Sequence, residues 1–256
     1  MAYSLIWLPE VLRAAGLKVS EVAGWTERGR GDMGAVEGVI CHHTGTNDRS
    51  NMPTLGTLIK GRRLDNGEML PGPLAQLGLA RDGTYFVIAA GKANHAGPGV
   101  WKKITGNGRF IGIEAENAGK NRERWPDVQM DAYRRGVAAI LRRIGAAEQM
   151  CCGHREFAPK RKPDPEFDLD LFRRDVGAIM RGVGIVRPLI PAVDEQQRPT
   201  LRRGDRGELV KRIQAAVGVE PDGRFGPNTE AAVRAFQRAH DLVPDGIVGP
   251  KTWEKF

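Results

Sequence analysis

Apolar residues follow two different periods along this chain. In the first part, short runs of β-forming residues lie at 36–44, 74–80, 85–89 and 111–117. Between and after them the spacing changes to that of a helix. Tyr133, Val137, Ile140, Leu141 and Ile144 line one face of an amphipathic helix, and 167–180 has the same pattern. Strands and helices interleave, which predicts an α/β domain built on a central sheet. The last part has only the helical period. Leu209, Val210, Ile213 and Val217 form one stripe, and Ala232, Val233 and Phe236 form a second. A short third helix around Trp253 completes a small C-terminal three-helix domain.

Between these parts the period disappears. Residues 185–200, IVRPLIPAVDEQQRPT, hold Pro188, Pro191 and Pro199 and follow neither pattern. Proline at that density makes a semi-rigid spacer. The expected organisation is therefore a domain at 1–183, a linker at 184–200 and a tail domain at 201–256. The tail repeats itself: Asp222-Gly223-Arg224-Phe225-Gly226-Pro227-Asn228-Thr229 returns as Asp245-Gly246-Ile247-Val248-Gly249-Pro250-Lys251-Thr252. Each copy reads as a glycine turn followed by a helix that starts on proline. A duplication of this kind is equally a ligand-binding device or plain repeated structure.

Composition narrows the class. With 39 basic and 31 acidic side chains the 256-residue chain carries +8, which predicts attraction to a polyanion, nucleic acid or bacterial wall. Aromatics are only 6% and no stripe interleaves them with Lys or Arg, which disfavours nucleic acid. No apolar run approaches the roughly 20 residues of a membrane span. The first residues, Met1 to Pro9, show no basic region and no small-residue cleavage site, so no signal peptide is expected. Three cysteines, Cys41, Cys151 and Cys152, are too few for a disulfide-built scaffold and fit a reducing cytosol.

Four of the five histidines, His42-His43, His95 and His154, fall in suggestive places, and candidate chemistry gathers in three segments. His42 and His43 end the 36–44 run, and alternation sends one of them to each face without deciding which enters a cleft. The segment 153–165 carries His154 and then Lys162-Pro163-Asp164-Pro165. Its prolines exclude a continuous helix, and each polar residue before a proline is biased to extended backbone. Lys162 and Asp164 then project together, either as a working pair or as a surface turn. On 111–117, Glu114 and Glu116 share the face opposite Ile111, Ile113 and Ala115, which is a cleft wall or a wet surface. His95 stands alone between these segments, and His240 reads as a surface residue of the tail. Two histidines, an aspartate, a glutamate and a lysine supply every part of a catalytic zinc site with three protein ligands.

These motifs, Val39-Ile40-Cys41-His42-His43-Thr44, Asn94-His95-Ala96-Gly97, Ile111-Gly112-Ile113-Glu114 and Gly153-His154 through Lys162-Pro163-Asp164-Pro165, come in the order found in a known family. Over about 35–170 the chain resembles the zinc-dependent N-acetylmuramoyl-L-alanine amidases of the amidase-2 family, relatives of the peptidoglycan recognition proteins. From Leu201 to Trp253 it resembles the type 1 peptidoglycan-binding module. The resemblance implies a mixed β-sheet flanked by helices, Zn2+ held by His42, His154 and Asp164, and Glu114 as general base. It also implies that Lys162 stabilises the oxyanion and that His95 touches the substrate. Glu116 takes no role from it. Asn94 replaces the family's tryptophan. Ala75 stands where some relatives carry a helping tyrosine, which leaves the base role to Glu114 alone. Asp164 fills the place where some members use cysteine, so the three cysteines are expected to pack near the site and not to bind metal.

The implied function is hydrolysis of the amide between N-acetylmuramic acid and L-alanine in peptidoglycan, by a monomeric enzyme tethered to the wall by its tail. Two domains of this kind without a leader resemble a phage or prophage endolysin, made in the cytoplasm and released to the wall through a separate membrane lesion. A non-catalytic recognition protein is the alternative. Such proteins often lack a ligand, whereas all three are present here.

Overall fold

The runs at 36–44 and 111–117 become the middle of a sheet: the first is apolar on both faces, as suits a doubly covered parallel strand, and the second keeps Ile111, Ile113 and Ala115 on one face. The computed structural model describes residues 2–119, 123–183, 194, 196–242, 244 and 246–256. Helix α1 (Leu8–Ala14) and strand β1 (Lys18–Glu21) lead to β2 (Gly38–His43), and α2 (Leu55–Lys60) runs into a hairpin of β3 (Gly61–Arg63) and β4 (Met69–Pro71). Strands β5 (Leu77–Leu79) and β6 (Thr84–Val87) flank the Arg81-Asp82-Gly83 turn, and a second hairpin, β7 (Val100–Trp101) with β8 (Ile104–Thr105), precedes β9 (Phe110–Ala115). Then follow α3 (Asp127–Ile144), β10 (Cys151–Gly153), the single-turn α4 (His154–Phe157) and α5 (Leu169–Met180).

Six strands form one sheet in the order β1-β6-β5-β9-β2-β10, with only the β5–β6 pair antiparallel. The mixed sheet flanked by helices is thus the architecture expected from the sequence. On one face, Tyr133, Val137 and Leu141 of α3 share a core with Val39, Cys41, Ile111, Ile113 and Ala115. On the other, Ile40, Phe110 and Cys152 pack with Ala96 and Phe157. Two strands of this sheet escaped the sequence reading, as did both two-stranded hairpins. β1 is never fully buried and β10 is just Cys-Cys-Gly, so neither carries a pattern long enough to count. The 111–117 run leaves the sheet after Ala115, and Glu116 turns into the interior.

The chain divides into two compact units, 1–125 with 129–185, and 126–128 with 186–256. Of the expected linker, 184–193 and 195 lie outside the described residues. Its end, however, packs onto the tail: Trp253 Nε1 donates to the Pro199 carbonyl (2.8 Å) and Arg198 lies over the Trp253 ring. The tail's helices are α6 (Glu208–Ala216), α7 (Pro227–Ala239) and α8 (Pro250–Trp253), around Val210, Ile213, Phe225, Val233, Val248 and Trp253. Proline opens α7 and α8 as expected.

The repeat has a structural cause in two buried glutamines. Gln214 accepts from the Gly223 N–H (2.9 Å) and donates to Thr229 Oγ1 (3.0 Å) and the Arg224 carbonyl (3.0 Å). In the second copy Gln237 accepts from Gly246 N–H (2.8 Å) and donates to Thr252 Oγ1 (3.1 Å) and the Ile247 carbonyl (2.9 Å). Each helix thereby holds the next glycine turn, whose Gly223 and Gly246 adopt φ of +73° and +75°. Asp245 of the second copy lies outside the described residues. His240 is exposed, as expected, but its ring stacks on Phe236 at 4.0 Å.

Candidate active site

Three parallel strands end side by side, and their ends carry the site. In the register of β2 on β9, His42 lies opposite Glu114. In that of β10 on β2, Gly153 lies opposite Cys41, so the next residue, His154, emerges beside His42. The carboxyl ends of parallel strands are where open α/β sheets gather their ligands. Alternation left the choice between His42 and His43 open. In the fold His42 is on the Ile40 face and fully buried, while His43 goes to the other face, near Trp125 at 6.3 Å. The Tyr133 hydroxyl accepts from the His42 N–H (2.9 Å) and lies 3.1 Å from both the His42 and Ile113 carbonyls, so α3 pins the two central strands where the site begins. Asp164 returns from the loop after α4, which the Asp164 carbonyl closes by accepting from the Arg155 N–H (2.6 Å).

The donor atoms form a small triangle. His42 Nδ1 and His154 Nδ1 are 2.9 Å apart, and each lies 3.2 Å from Asp164 Oδ2. The other ring nitrogens show where the protons are. His154 Nε2 faces the Ala96 carbonyl (2.9 Å) and His95 Nε2 faces the Phe110 carbonyl (3.2 Å), so both carry hydrogen and donate. His95 Nδ1 is then an acceptor, and His42 Nε2, 3.1 Å away, donates to it. Burial, before any other cause, pushes His42 down to about 4 and His95 well below the usual histidine range, so each is a neutral ring with a single N–H. Two imidazole Nδ1 atoms and a carboxylate oxygen thus converge on one point, an arrangement that a positive charge between them stabilises. Ligands on a tetrahedral zinc with bonds near 2.05 Å stand about 3.3 Å apart, close to the spacings seen. Among the described residues this is the cluster of His, Cys, Asp and Glu able to hold a metal ion.

Glu114 stands beside the triangle, its Oε1 3.8 Å from His42 Nδ1 and its side chain 15% exposed. Its Oε2 is buried without a hydrogen-bond partner among the described residues. Burial and then the Asp164 charge push this carboxyl up to about 8, against the pull of Lys162. Lys162 is half-buried, on the turn set by its N–H donating to the Ala158 carbonyl (3.0 Å), and its charge is felt at both His42 and Glu114. His95 lies against His42 with both ring nitrogens engaged by the protein. Ala75 is fully buried. The cysteines are buried and free, with Cys41 Sγ and Cys151 Sγ 3.5 Å apart on neighbouring strands. Asn94, at the family's tryptophan position, ties its segment to the β4 end by donating to the Pro71 carbonyl (2.9 Å).

Glu116, which the sequence left without a role, is the centre of a buried polar cluster. It accepts from Thr44 Oγ1 (3.0 Å), Thr54 N–H (2.9 Å) and Thr54 Oγ1, with Arg81 Nη1 at 3.7 Å. Arg81 is itself buried, donating to Glu123 (2.9 Å) and the Ser50 carbonyl (2.8 Å). Together they hold the 44–54 loop that leaves the His42 strand. No local pattern reveals this, since Thr44, Thr54 and Arg81 meet only through the sheet. Glu116→Ala is expected to cost about 3 kcal/mol by denaturant unfolding, because it strands three donors and takes from the buried Arg81 one of its two carboxylates. A loss below about 1 kcal/mol, the worth of an exposed pair, would refute that role.

Residues 32–167 match the family described as N-acetylmuramoyl-L-alanine amidase, and residues 203–256 match a peptidoglycan binding domain. A protein encoded in the bpoA1 3' region of Kitasatospora aureofaciens is 48% identical over 64 residues, 22% of this chain and 54% of that protein. The zinc D-Ala-D-Ala carboxypeptidase of Streptomyces albus G is 45% identical over 64 residues, 22% of this chain and 25% of the enzyme. The chain thus spans about half and a quarter of these curated relatives. A crystal structure of a selenomethionine AmpD derivative aligns with 68% of this chain and 99% of its own at a TM-score of 0.50, with 23% identity, a likeness of fold. The first match spans more than half of the residues, and the chain therefore belongs to the N-acetylmuramoyl-L-alanine amidase (amidase-2) family.

Proposed function

We propose that the chain hydrolyses the amide joining N-acetylmuramic acid to L-alanine in bacterial peptidoglycan, with His42, His154 and Asp164 holding Zn2+. The convergence of three metal-ligating atoms beside the buried Glu114 carboxyl, whose Oε2 has no hydrogen-bond partner among the described residues, carries this reading. A zinc ion held there supplies Lewis acidity and makes water acidic near neutral pH. Glu114 takes the proton from the attacking water and passes it to the departing L-alanine amine, a task suited to a carboxyl whose affinity for protons has been raised. Lys162 meets the negative charge that grows on the scissile carbonyl oxygen, where a cation in a water-poor cleft favours the transition state over the ground state.

In this proposal the catalytic part is 1–183, the spacer 184–200 and the wall-binding part 201–256; the match of 203–256 to a peptidoglycan binding domain supports peptidoglycan as the partner. Tethering raises the local substrate concentration along an insoluble polymer. No described helix is long and apolar enough to cross a membrane. An amidase joined to a wall-binding module suits lytic action on the wall, as in a phage or prophage endolysin.

Digestion of purified peptidoglycan tests the reading, with new amino groups and new reducing ends assayed together. Release of amino groups alone, abolished by a chelator and restored by Zn2+, is expected, with mass spectrometry locating the cut at the lactyl–alanine bond. Reducing ends would identify a glycosidase instead. Binding without release of either would leave a recognition protein.

A further inference from the structure

We infer that His95 is a positioning residue: it holds His42 in the tautomer that turns a bare Nδ1 toward the metal, and residue 112 is glycine to make room for it. The inference rests on the zinc site proposed above. His42 could carry its single proton on either nitrogen, and with the proton on Nδ1 it would be a donor and no ligand. The choice is made outside the triangle. The Phe110 carbonyl at the start of β9 can only accept, so His95 must keep its hydrogen on Nε2 (3.2 Å) and offer a lone pair at Nδ1. That lone pair lies 3.1 Å from His42 Nε2 and draws the His42 proton there. The two rings meet edge to face, with centroids 5.3 Å apart and planes at 88°, so the in-plane lone pair and the N–H can align.

The relay is held from both sides. The residue before His95 is fixed by Asn94 N–H donating to the Pro73 carbonyl (2.8 Å), and the residue after it by Ala96 N–H donating to Asn107 Oδ1 (2.8 Å). His95 is 7% exposed and both of its ring nitrogens are engaged. On β9, Gly112 shares the cleft face with Glu114 and sits beneath the His95 ring. A Cβ there would fall 2.4 Å from His95 Cγ and 2.6 Å from Nδ1, which no real contact tolerates. The glycine of the Ile111-Gly112-Ile113-Glu114 motif thus clears the space that brings His95 onto His42.

The test is the zinc affinity of the purified full chain, measured in the absence of substrate by competition with a chromogenic chelator. Loss of a group that orients a ligating histidine weakens metal binding about 10–100-fold, and His95→Ala is expected to do so. Gln at 95 can accept from His42 and donate to Phe110, so His95→Gln is expected to recover part of the loss. Gly112→Ala, which touches no ligand, is expected to weaken zinc as His95→Ala does, and the double variant to be no worse than either, since both remove one interaction. Circular dichroism of the metal-free variants checks folding, and Gly112→Ala and His95→Gln keep the test open if His95→Ala does not fold. A residue that only touches substrate would raise KM and leave zinc affinity alone. Affinities within twofold of wild type in these variants would overturn the inference while the zinc site stands. Absence of zinc binding in the wild-type chain would overturn both.

Discussion

Glu114→Gln is expected to lower kcat on peptidoglycan by about 10²–10⁴-fold while the protein still binds zinc, because the amide keeps the shape of the carboxyl and cannot take a proton. The same variant has a signature that needs no substrate. In the metal-free fold Glu114 is raised to about 8 from its ordinary 4.5, by burial first and the Asp164 charge second. A raised folded value means that the folded protein holds this proton more tightly than the unfolded chain. The resulting stability is fully present below about 4.5 and is lost as the pH rises through about 8. Glutamine does not titrate, so the metal-free variant is expected to gain on wild type between those values and to be the more stable above pH 8. Thermal unfolding at pH 4.5 and pH 8.5 measures it. An equal difference at both values would mean that Glu114 is not the buried, proton-hungry group described here, and unchanged turnover would remove it from the chemistry.

Lys162→Met is the second large expectation. Methionine keeps the apolar stem and deletes the charge, and loss of one group that stabilises an oxyanion lowers kcat by about 10²–10³-fold. The Lys162 charge also reaches the His42–His154–Asp164 triangle, where it opposes protonation of His42 and favours the ionised form of Glu114. A cation that repels a proton there repels a metal as well. Zinc affinity in Lys162→Met is therefore expected to be equal to wild type or tighter, with kcat falling and KM little changed. Zinc affinity that falls together with kcat would point to a collapsed 158–164 loop and against a role in the transition state. The contrast with His95 is useful: one substitution should spare the metal and damage turnover, and the other should loosen the metal first.

Much of the fold was legible because β2 is apolar on both faces, β9 keeps one unbroken apolar face, and the longest helix, α3, keeps one stripe for most of its length. What escaped were elements too short to show a period. β10 has three residues and α4 four, yet together they deliver His154. In the site, His42, Glu114, His154, Lys162 and Asp164 were visible as residue types in a characteristic order. The roles of Glu116, Arg81 and the two tail glutamines were not, since buried polar groups announce themselves only through partners distant in sequence.

By itself the sequence determined the α/β class, the separation of a helical tail and the stock of donors, because periodicity and residue chemistry are local properties of a chain. Register belongs to the tertiary structure. The alignment of β2 with β9 and β10 brings His42, Glu114 and His154 to one edge, since a shift of one residue would send each side chain to the opposite face. The same register lays Gly112 under His95, whose Nδ1 comes to 3.1 Å from His42 Nε2.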